Sequence, residues 1–307
     1  MVLSIPVLKK QSHWFYSEKC LKIVSLSEKY AVYLDICELI DYNLFNNTIS
    51  SPIIYNLKLE AYLMNKEYNL TVTAPEDFSA ACAKVLFETI SANPHAVIGL
   101  STGRTTGDIH RKLAALVREN KTDVSGVTIF GLDEVTGVST EYFGSCIWML
   151  EHECVLDMGI VPENFLMLPV ESDDWERDCE AFAAELQRRG GITLLELGLG
   201  ENGHIGFNQP GTPFTQRVFH GMMHDYLEKR IRRETNTPDE KELGGVTLGI
   251  ADVMESHRIL LCVNGENKRD ILQKTLYGPV TTEVPATVLQ DHPNLQIICD
   301  SAAYPAE

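Results

Sequence analysis

The sequence is poor in basic residues and has no long apolar run. Its 307 residues include 26 lysines and arginines against 43 aspartates and glutamates, so the formal net charge is −17. Because so acidic a chain repels phosphodiester backbones and anionic lipids, we exclude nucleic acids and membranes as general partners. No stretch is apolar enough to span a bilayer, and the first residues lack the features of a signal peptide. These absences predict a cytoplasmic protein.

Paired cysteine motifs are also missing. The eight cysteines are scattered along the chain, and no two of them form a Cys-x-x-Cys pair. In a chain of this length such spacing is typical of buried thiols in a reducing compartment, and it excludes a disulfide framework. The segment His152-Glu153-Cys154 lacks the spacing of metal ligands. We therefore expect neither structural disulfides nor a metal site.

Glycine is missing from residues 1–63, which show no sustained helical or strand period. From residue 64 onward the residue pattern changes to apolar runs, glycine-containing loops and amphipathic segments. We therefore predict an atypical N-terminal extension over 1–63 and an α/β domain over 64–307. The extension is interpreted as a poorly ordered stretch translated ahead of a natural start at Met64. An arm that docks in a homo-oligomer and a short second domain are the alternatives.

Residues 64–307 alternate between strand-like and helix-like segments. The predicted strands are 68–73, 95–100, 127–132, 165–170, 192–199, 258–263 and 295–299. The predicted helices are 75–91, 108–117, 145–156, 173–189 and 267–276. Thr73 and Glu76 have the spacing of a capping box ahead of the first helix. Short apolar runs separated by helices indicate an open, mostly parallel sheet with helices on both faces.

The carboxyl ends of such strands are where ligands bind, and the first candidate segment lies there. It follows strand 95–100 and contains Ser101, Thr102, Gly103, Arg104 and Thr105. Glycine lets backbone N–H groups approach an anion, the hydroxyls are donors, and the next helix begins there. The segment matches neither a P-loop nor G-x-G-x-x-G, so it does not predict a nucleotide. It indicates a phosphate site, with an ordinary strand-to-helix turn as the alternative.

Two acidic residues, Asp133 and Glu134, follow strand 127–132 directly. Paired acids at the end of a central strand both need solvent or partners. A carboxylate in that position suits a general base. The alternative is a helix N-cap followed by an acid in the first turn of that helix.

The most specific motif is the loop over residues 198–211, in which five glycines surround His204. A histidine held outside regular structure at the end of a strand suits proton transfer near neutral pH. Lys268 begins the helix after strand 258–263, where its charge opposes the helix dipole. A bound phosphate would compensate that charge, and a solvated lysine is the alternative.

Together and in this order, the motifs resemble the glucosamine-6-phosphate deaminase (isomerase) family, which is sister to the 6-phosphogluconolactonases. The resemblance is carried by FGLDEVTGV (130–138), LGLGENGHIGFNQPGTPF (197–214), VTLGI (246–250) and PATVLQDHP (285–293). It implies an open Rossmann-like sheet without a dinucleotide. It also implies an enzyme that converts glucosamine 6-phosphate and water into fructose 6-phosphate and ammonia, with no metal or organic cofactor.

The resemblance assigns phosphate binding to particular residues. It implies that the loop 101–106 and Lys268 hold the phosphate of the sugar. An arginine from the segment 230–233 assists them, and it is either Arg232 or Arg230. The polar segment 220–243 is similar to the lid that closes over the sugar in this family.

For catalysis, the resemblance implies that His204 assists opening of the pyranose ring. Asp133 then moves a proton from C2 to C1, and ammonia leaves through an imine. Three positions depart from the family pattern. Gln209 stands where well-studied members carry glutamate, Asn202 where some carry aspartate, and Arg104 replaces the second glycine of the phosphate loop. Glutamine cannot ionise, so it supports an imidazolium less well than glutamate does.

These departures leave other functions open. A galactosamine-6-phosphate deaminase is one. A 6-phosphogluconolactonase is another, although its pattern has Asp-Gly-His where this chain has Asn202-Gly203-His204, and a basic residue where this chain has Val135. Gln209 and Arg104 also fit a non-catalytic sugar-phosphate sensor, but a binder has no need of a base near C2. We expect a small sugar phosphate as the partner and leave a homo-oligomer open.

Overall fold

The computed structural model describes residues 21–27, 30–35, 68–223 and 225–304. The chain divides into two compact units, Met1–Glu67 and Tyr68–Glu307. In the first unit, strands β1 (Leu21–Ser27) and β2 (Tyr30–Asp35) pair in antiparallel fashion. The rest of the predicted extension lies outside the described residues, so its origin and role stay predictions.

The second unit is built on a sheet of seven strands. In spatial order these are β3 (Asn69–Thr73), β12 (Leu295–Asp300), β11 (Ile259–Val263), β8 (Leu194–Gly198), β4 (Val97–Leu100), β5 (Thr128–Gly131) and β7 (Phe165–Leu166). Every neighbouring pair is parallel. The residues of the central strands β4 and β11 are all buried, as expected for a parallel sheet that is covered on two sides.

Within the described part of the chain, eight α-helical segments accompany the strands. They are α1 (Phe78–Ala92), α2 (Gly107–Asn120), α3 (Cys146–Leu150), α4 (Leu156–Met158), α5 (Trp175–Arg188), α6 (Asp225–Thr235), α7 (Ile250–Met254) and α8 (Arg269–Tyr277). A π-turn, Glu151–Val155, joins α3 to α4. Short 3₁₀ segments cover Pro162–Asn164, Glu266–Lys268 and Pro285–Asp291. Within the described residues, no helix combines the length and apolar character that a membrane crossing needs.

The helices cover both faces of the large sheet, as the sequence predicts. Leu194 and Leu195 are successive residues of β8 and pack into different apolar clusters, because successive side chains of a strand point to opposite faces. The Leu194 cluster includes side chains of α1 and α2. The Leu195 cluster includes side chains of α5, α7 and α8. The fold is therefore an open α/β layer structure with two apolar cores.

A second, smaller sheet was not predicted. It contains β6 (Asp133–Thr136), β10 (Gly244–Thr247) and β9 (Phe219–Met222), paired in antiparallel fashion in that order. The chain passes from β5 through Leu132 straight into β6, so the two sheets share one continuous segment. Helix α6 lies in the segment 220–243 that the resemblance describes as a lid. Its Ile231 is buried with Val135 of β6 and with Tyr142.

The predicted capping box of α1 is wrong. The helix begins at Phe78, and its N-cap is Asp77, which makes no side-chain capping bond. Thr73 instead ends β3, where it pairs with Asp300 in parallel register. Because its backbone belongs to the sheet, Thr73 cannot also start a helix. The apolar pattern located the helix, but turn residues separate it from the strand.

A buried charged cluster lies in the core that contains α2. His110 of α2 is fully buried, with Nδ1 at 2.8 Å from Oε2 of Glu153 and Nε2 at 3.0 Å from Oε2 of Glu196. Glu153 belongs to the π-turn and Glu196 to β8. Burial by itself lowers the pKa of His110, but the two carboxylates outweigh it and raise that pKa to about 9. The two carboxyl groups therefore favour the protonated form of the imidazole that lies between them.

Candidate active site

The four segments that the sequence singles out all follow strands of the large sheet. They come after β4, β5, β8 and β11, which are neighbours in the order β11, β8, β4, β5. Because these strands are parallel, their carboxyl ends lie at one edge of the sheet. The topology therefore gathers the predicted phosphate loop, Asp133, the loop of His204 and Lys268 at that edge.

The phosphate loop is held by hydrogen bonds to its neighbours. The Oγ atom of Ser101 accepts a bond of 3.1 Å from the backbone N–H of Gly198, at the end of β8. The hydroxyl of Thr106 donates to the carbonyl of Ser101 at 2.8 Å. The hydroxyl of Thr105 donates to Oδ1 of Asn264, at the end of β11, also at 2.8 Å. Ser101 and Thr105 thus brace the loop, while the tip at Gly103 and Arg104 is exposed.

Two cations lie near each other beside this loop. Lys268 is half-buried at the end of the 3₁₀ segment Glu266–Lys268. Burial lowers the pKa of Lys268; the negative charge of Glu201 opposes that shift, and the positive charge of Arg104 adds to it. Like charges repel, so an anion bound between Arg104 and Lys268 would stabilise both. This arrangement suits a phosphate group.

Arg232 has different partners. Its guanidinium donates from Nη2 to Oε1 of Glu228 at 2.6 Å and from Nη1 to the carbonyl of Pro238 at 2.6 Å. These contacts lie within α6 and the turn that follows it. The nearby Arg230 has its Nε at 4.0 Å from Oε1 of Glu234. Both arginines pair with acids of their own helix, so a role in phosphate binding stays a prediction for either.

The two adjacent acids have separate environments. The carboxylate of Glu134 is buried and accepts three backbone N–H bonds, from Val135 at 2.6 Å, Cys146 at 3.0 Å and Ile147 at 2.7 Å. It therefore fixes the start of α3 against β6. The N-cap of α3 is Ser145, whose side chain accepts from the N–H of Trp148 at 3.1 Å. The alternative of a helix N-cap followed by an acid in the first turn is wrong, because both residues belong to β6; Glu134 binds the first N–H groups of α3 from outside that helix.

Asp133 is half-buried at the first position of β6. Burial raises the pKa of its carboxyl to about 7; the thiol of Cys146, which donates to Oδ1 at 3.4 Å, opposes the shift, and the charge of Glu134 adds to it. A group with a pKa near 7 can both take up and release a proton at neutral pH. Asp133 therefore has the properties of a general base.

The imidazole of His204 is held by an amide pair. Its Nδ1 lies 2.6 Å from Oδ1 of Asn202, and Nδ2 of Asn202 donates to Oε1 of Gln209 at 3.1 Å. Because this amide oxygen only accepts, Nδ1 must carry the proton, and Nε2 of the neutral ring is then a proton acceptor. The amide network thus assigns one tautomer of His204.

Glycines allow this packing at two positions. A Cβ atom on Gly200 would lie 2.3 Å from the Cε1 atom of His204, so the ring lies directly on the backbone there. Gly203 has a φ of +85° and accepts a bond of 2.9 Å from the N–H of Ala286 in the 3₁₀ segment Pro285–Asp291. That segment contains the motif PATVLQDHP, which therefore supports the loop of His204.

Strand β10 connects the loop of His204 to the strand of Asp133. The N–H of Phe207 donates to the hydroxyl of Thr247 at 3.3 Å, and Thr247 pairs with Asp133 across the small sheet. The N–H of Leu248 donates to the carbonyl of Leu132 at 3.0 Å. These bonds bring the two candidate proton-transfer groups into one framework.

Sequence reasoning missed several residues that build this site. The sequence assigns no chemical role to Cys146, Thr247 or Asn264, yet each contacts one of the four candidate segments. Their signal is weak because each acts through a single hydroxyl, thiol or amide group. The clearest signal is that of Asn264, which stands directly after a buried strand and begins the segment that ends at Lys268.

Comparison with known proteins agrees with this geometry. The family model described as glucosamine-6-phosphate isomerases/6-phosphogluconolactonase matches residues 73–297. Glucosamine-6-phosphate deaminase of Thermoanaerobacter pseudethanolicus is 31% identical over 228 residues, which are 74% of this chain and 90% of that protein. The same enzyme of Staphylococcus epidermidis is 33% identical over 241 residues, 78% of this chain and 98% of that protein.

Solved structures agree as well. A monomeric glucosamine-6-phosphate deaminase superimposes with a TM-score of 0.70 at 28% identity, covering 76% of this chain and 98% of that one. The 6-phosphogluconolactonase of Thermotoga maritima superimposes with a TM-score of 0.60 at 17% identity, over 76% of this chain and 100% of that one. At that identity the second likeness concerns the fold alone. The chain belongs to the glucosamine-6-phosphate isomerase/6-phosphogluconolactonase family.

Proposed function

We propose that the protein converts glucosamine 6-phosphate and water into fructose 6-phosphate and ammonia by acid–base catalysis. The observation that carries this proposal is the Asp133 carboxyl, whose pKa of about 7 suits it to take a proton from carbon and give it back. The relatives at 31% and 33% identity bear the name of this activity.

The phosphate of the sugar binds between Arg104 and Lys268, with the backbone N–H groups of the loop 101–106 and the hydroxyl of Ser101 as further donors. The anion then compensates two cations that otherwise repel each other. Binding at this end fixes the distance from the phosphate to C1 and C2 of the sugar. That anchoring supplies the proximity on which the proton transfers depend.

His204 opens the pyranose ring. With Nδ1–H donating to Asn202, Nε2 is the basic nitrogen of the ring, and it takes the proton of the anomeric hydroxyl and returns it to the ring oxygen. The products of this step are an aldehyde at C1 and a hydroxyl at C5. The dipoles of the amides of Asn202 and Gln209 help to stabilise the imidazolium that forms in between.

Asp133 carries out the isomerisation. It removes the proton from C2 of the open-chain sugar, giving an enolamine, and returns that proton to C1. The result is an imine at C2 with a hydroxyl at C1. Water adds to the imine carbon and ammonia leaves, so that fructose 6-phosphate is formed. All atoms of the two reactants appear in the two products, and every proton is moved by a side chain of this chain or by water.

Ammonia release by the full-length protein is the first test. We expect turnover with glucosamine 6-phosphate and compare it with galactosamine 6-phosphate, which differs only at C4. Hydrolysis of 6-phosphogluconolactone is followed in parallel by titration of the acid that it releases. Lactone hydrolysis without ammonia from either amino sugar would reject the proposal in favour of a lactonase. Binding of both amino sugars by calorimetry without any turnover would instead support a sensor.

The amide pair beside His204 gives a second expectation. Asn202→Ala removes the acceptor of Nδ1–H, so the ring loses its tautomer and orientation, and we expect kcat to fall about tenfold. Asn202→Asp keeps an acceptor and adds a charge that stabilises the imidazolium, so its kcat should equal or exceed that of the wild type. The exposed Asn120→Ala serves as control. An unchanged kcat in Asn202→Ala would mean that the pair does not orient the ring.

A further inference from the structure

The thiol of Cys146 lies between the phosphate loop and Asp133. The hydroxyl of Thr102 donates to Sγ at 3.0 Å, and the thiol donates to Oδ1 of Asp133 at 3.4 Å. Cys146 is buried, with 6% of its surface exposed. Its backbone N–H is bound by Glu134, so the position of the sulfur is determined by α3 and β6 together.

The number of available protons determines the direction of this chain of bonds. A hydroxyl and a thiol each have one proton to donate. Since the proton of Thr102 points to the sulfur, the proton of the sulfur is free to point to the carboxylate. Burial raises the pKa of the Cys146 thiol well above its usual range, and the charges of Asp133 and Glu134 add to this. The thiol therefore stays protonated, and stays a donor, throughout the pH range in which Asp133 titrates.

The thiol of Cys146 is the hydrogen-bond donor that favours the charged form of Asp133, while the other groups around this carboxyl disfavour it. Glu134, its neighbour on β6, disfavours a second negative charge there. Cys146 of α3 is the group that favours the charge, and the loop after β8 brings His204 to the same edge of the sheet. Within the described residues, no cationic side chain is paired with the Asp133 carboxylate. A single thiol thus opposes the effects of burial and of a neighbouring carboxyl group on Asp133.

We propose that Cys146 is a positioning residue for the reaction, which favours the anionic form of the Asp133 carboxyl and links it to Thr102 of the phosphate loop. The inference rests on the proposed function for its kinetic consequence, but not for its structural one. The chain Thr102, Cys146, Asp133 connects the group that binds the phosphate to the group that removes the C2 proton. Neighbouring hydrogen bonds polarise one another, so the first bond strengthens the second.

The test compares three variants by the pH dependence of kcat. Cys146→Ala removes the donor, and we expect the acidic limb of the profile to move to higher pH by roughly half a unit. Cys146→Ser replaces the thiol by a hydroxyl donor and should restore the limb to the wild-type pH or below. Cys154→Ala, which removes a buried thiol that donates only to the carbonyl of Leu150, should leave it unchanged. A limb that stays in place in Cys146→Ala would overturn the proposal.

A second measurement separates this proposal from the proposed function. The Asp133 carboxyl is titrated by carbon-13 NMR in protein labelled at aspartate, with Asp133→Asn used for assignment. We expect a higher titration midpoint in Cys146→Ala and a smaller increase in Thr102→Val, while circular dichroism confirms folding. If the wild type releases no ammonia but the midpoint moves, the proposed function fails and the role of Cys146 stands. If ammonia is released but the midpoints coincide, the role of Cys146 fails alone.

Discussion

Asp133→Asn is expected to reduce ammonia release by about 10²- to 10⁴-fold, the usual contribution of a general base. An amide has nearly the shape of a carboxylic acid but cannot accept the C2 proton. Binding of inorganic phosphate, measured by calorimetry, should be unchanged, because the phosphate loop and Lys268 are untouched. Undiminished ammonia release from this variant would contradict the mechanism.

The same variant separates catalysis from stability. The folded-state pKa of Asp133, about 7, is above its ordinary value of 3.8, so the folded protein binds this proton more tightly than the unfolded chain does. The group therefore stabilises the fold below its unfolded pKa, and that contribution is lost as the pH rises through 7. At pH 8 we expect Asp133→Asn to melt at the same temperature as the wild type or higher.

Glu134→Gln is the matched contrast to Asp133→Asn. Its carboxylate accepts three backbone N–H bonds, and a glutamine offers an NH₂ group where only acceptors are wanted. We therefore expect Glu134→Gln to lower the melting temperature.

In the wild type, kcat should rise with pH through about 7, because Asp133 is a base only when it has lost its proton.

His110→Ala is expected to destabilise the protein by about 3–5 kcal/mol, the usual effect of removing one partner of a buried charge pair. The change leaves Glu153 and the fully buried Glu196 without the imidazolium between them. Urea unfolding measures the loss. Replacing Glu196 by Gln in the same chain should recover part of it, because an uncompensated carboxylate is then removed as well. Lys84→Ala, which breaks only the exposed pair with Glu88, is the control.

The stabilisation from His110 depends on pH with a definite sign. Its folded-state pKa, about 9, lies above the ordinary 6.5, so its contribution is complete below pH 6.5 and is lost as the pH rises through 9. The difference in unfolding free energy between wild type and His110→Ala should therefore shrink between pH 7 and pH 10. A difference that stays constant over this range would mean that the imidazole is neutral in the folded protein.

The large sheet was predictable because its strands are apolar runs and its helices have an apolar face. The small sheet was not, because two of the four residues of β10 are Gly244 and Gly245, which favour no strand. The structure gives the reason for these glycines. A Cβ on Gly244 would lie 2.5 Å from Nε2 of His220, and one on Gly245 would lie 2.4 Å from the ring of Phe207. The close approach that needs glycine also hides the strand from the sequence.

The location of the candidate site could be predicted, but the hydrogen bonds and ion pairs within it could not. Asp133, His204 and Lys268 follow strands, and strand order alone brings them to one edge. Glu134 has a structural role because its carboxylate accepts backbone N–H bonds, whereas the Asp133 carboxyl accepts none of them. This difference depends on which backbone N–H groups each side chain can reach. Two of the three N–H groups that Glu134 binds belong to α3, whose approach to β6 is set by tertiary packing. The pairing of Arg232 with Glu228 is likewise a matter of side-chain geometry that a residue pattern does not specify.

At the π-turn Glu151–Val155, the number of residues between α3 and α4 constrains the structure more than the identity of most of those residues does. Each π-turn contains one residue more than an α-turn, so α4 is out of phase with α3 by about 100°. Cys146 is placed by counting forward from the N-cap at Ser145, whereas Glu153 is placed by the turn itself. Deletion of one residue here would convert the π-turn into an α-turn, so that α3 and α4 would form one continuous helix. Glu153 would then be rotated away from His110. Divergent relatives that keep this core should accept exchanges here but neither gaps nor insertions.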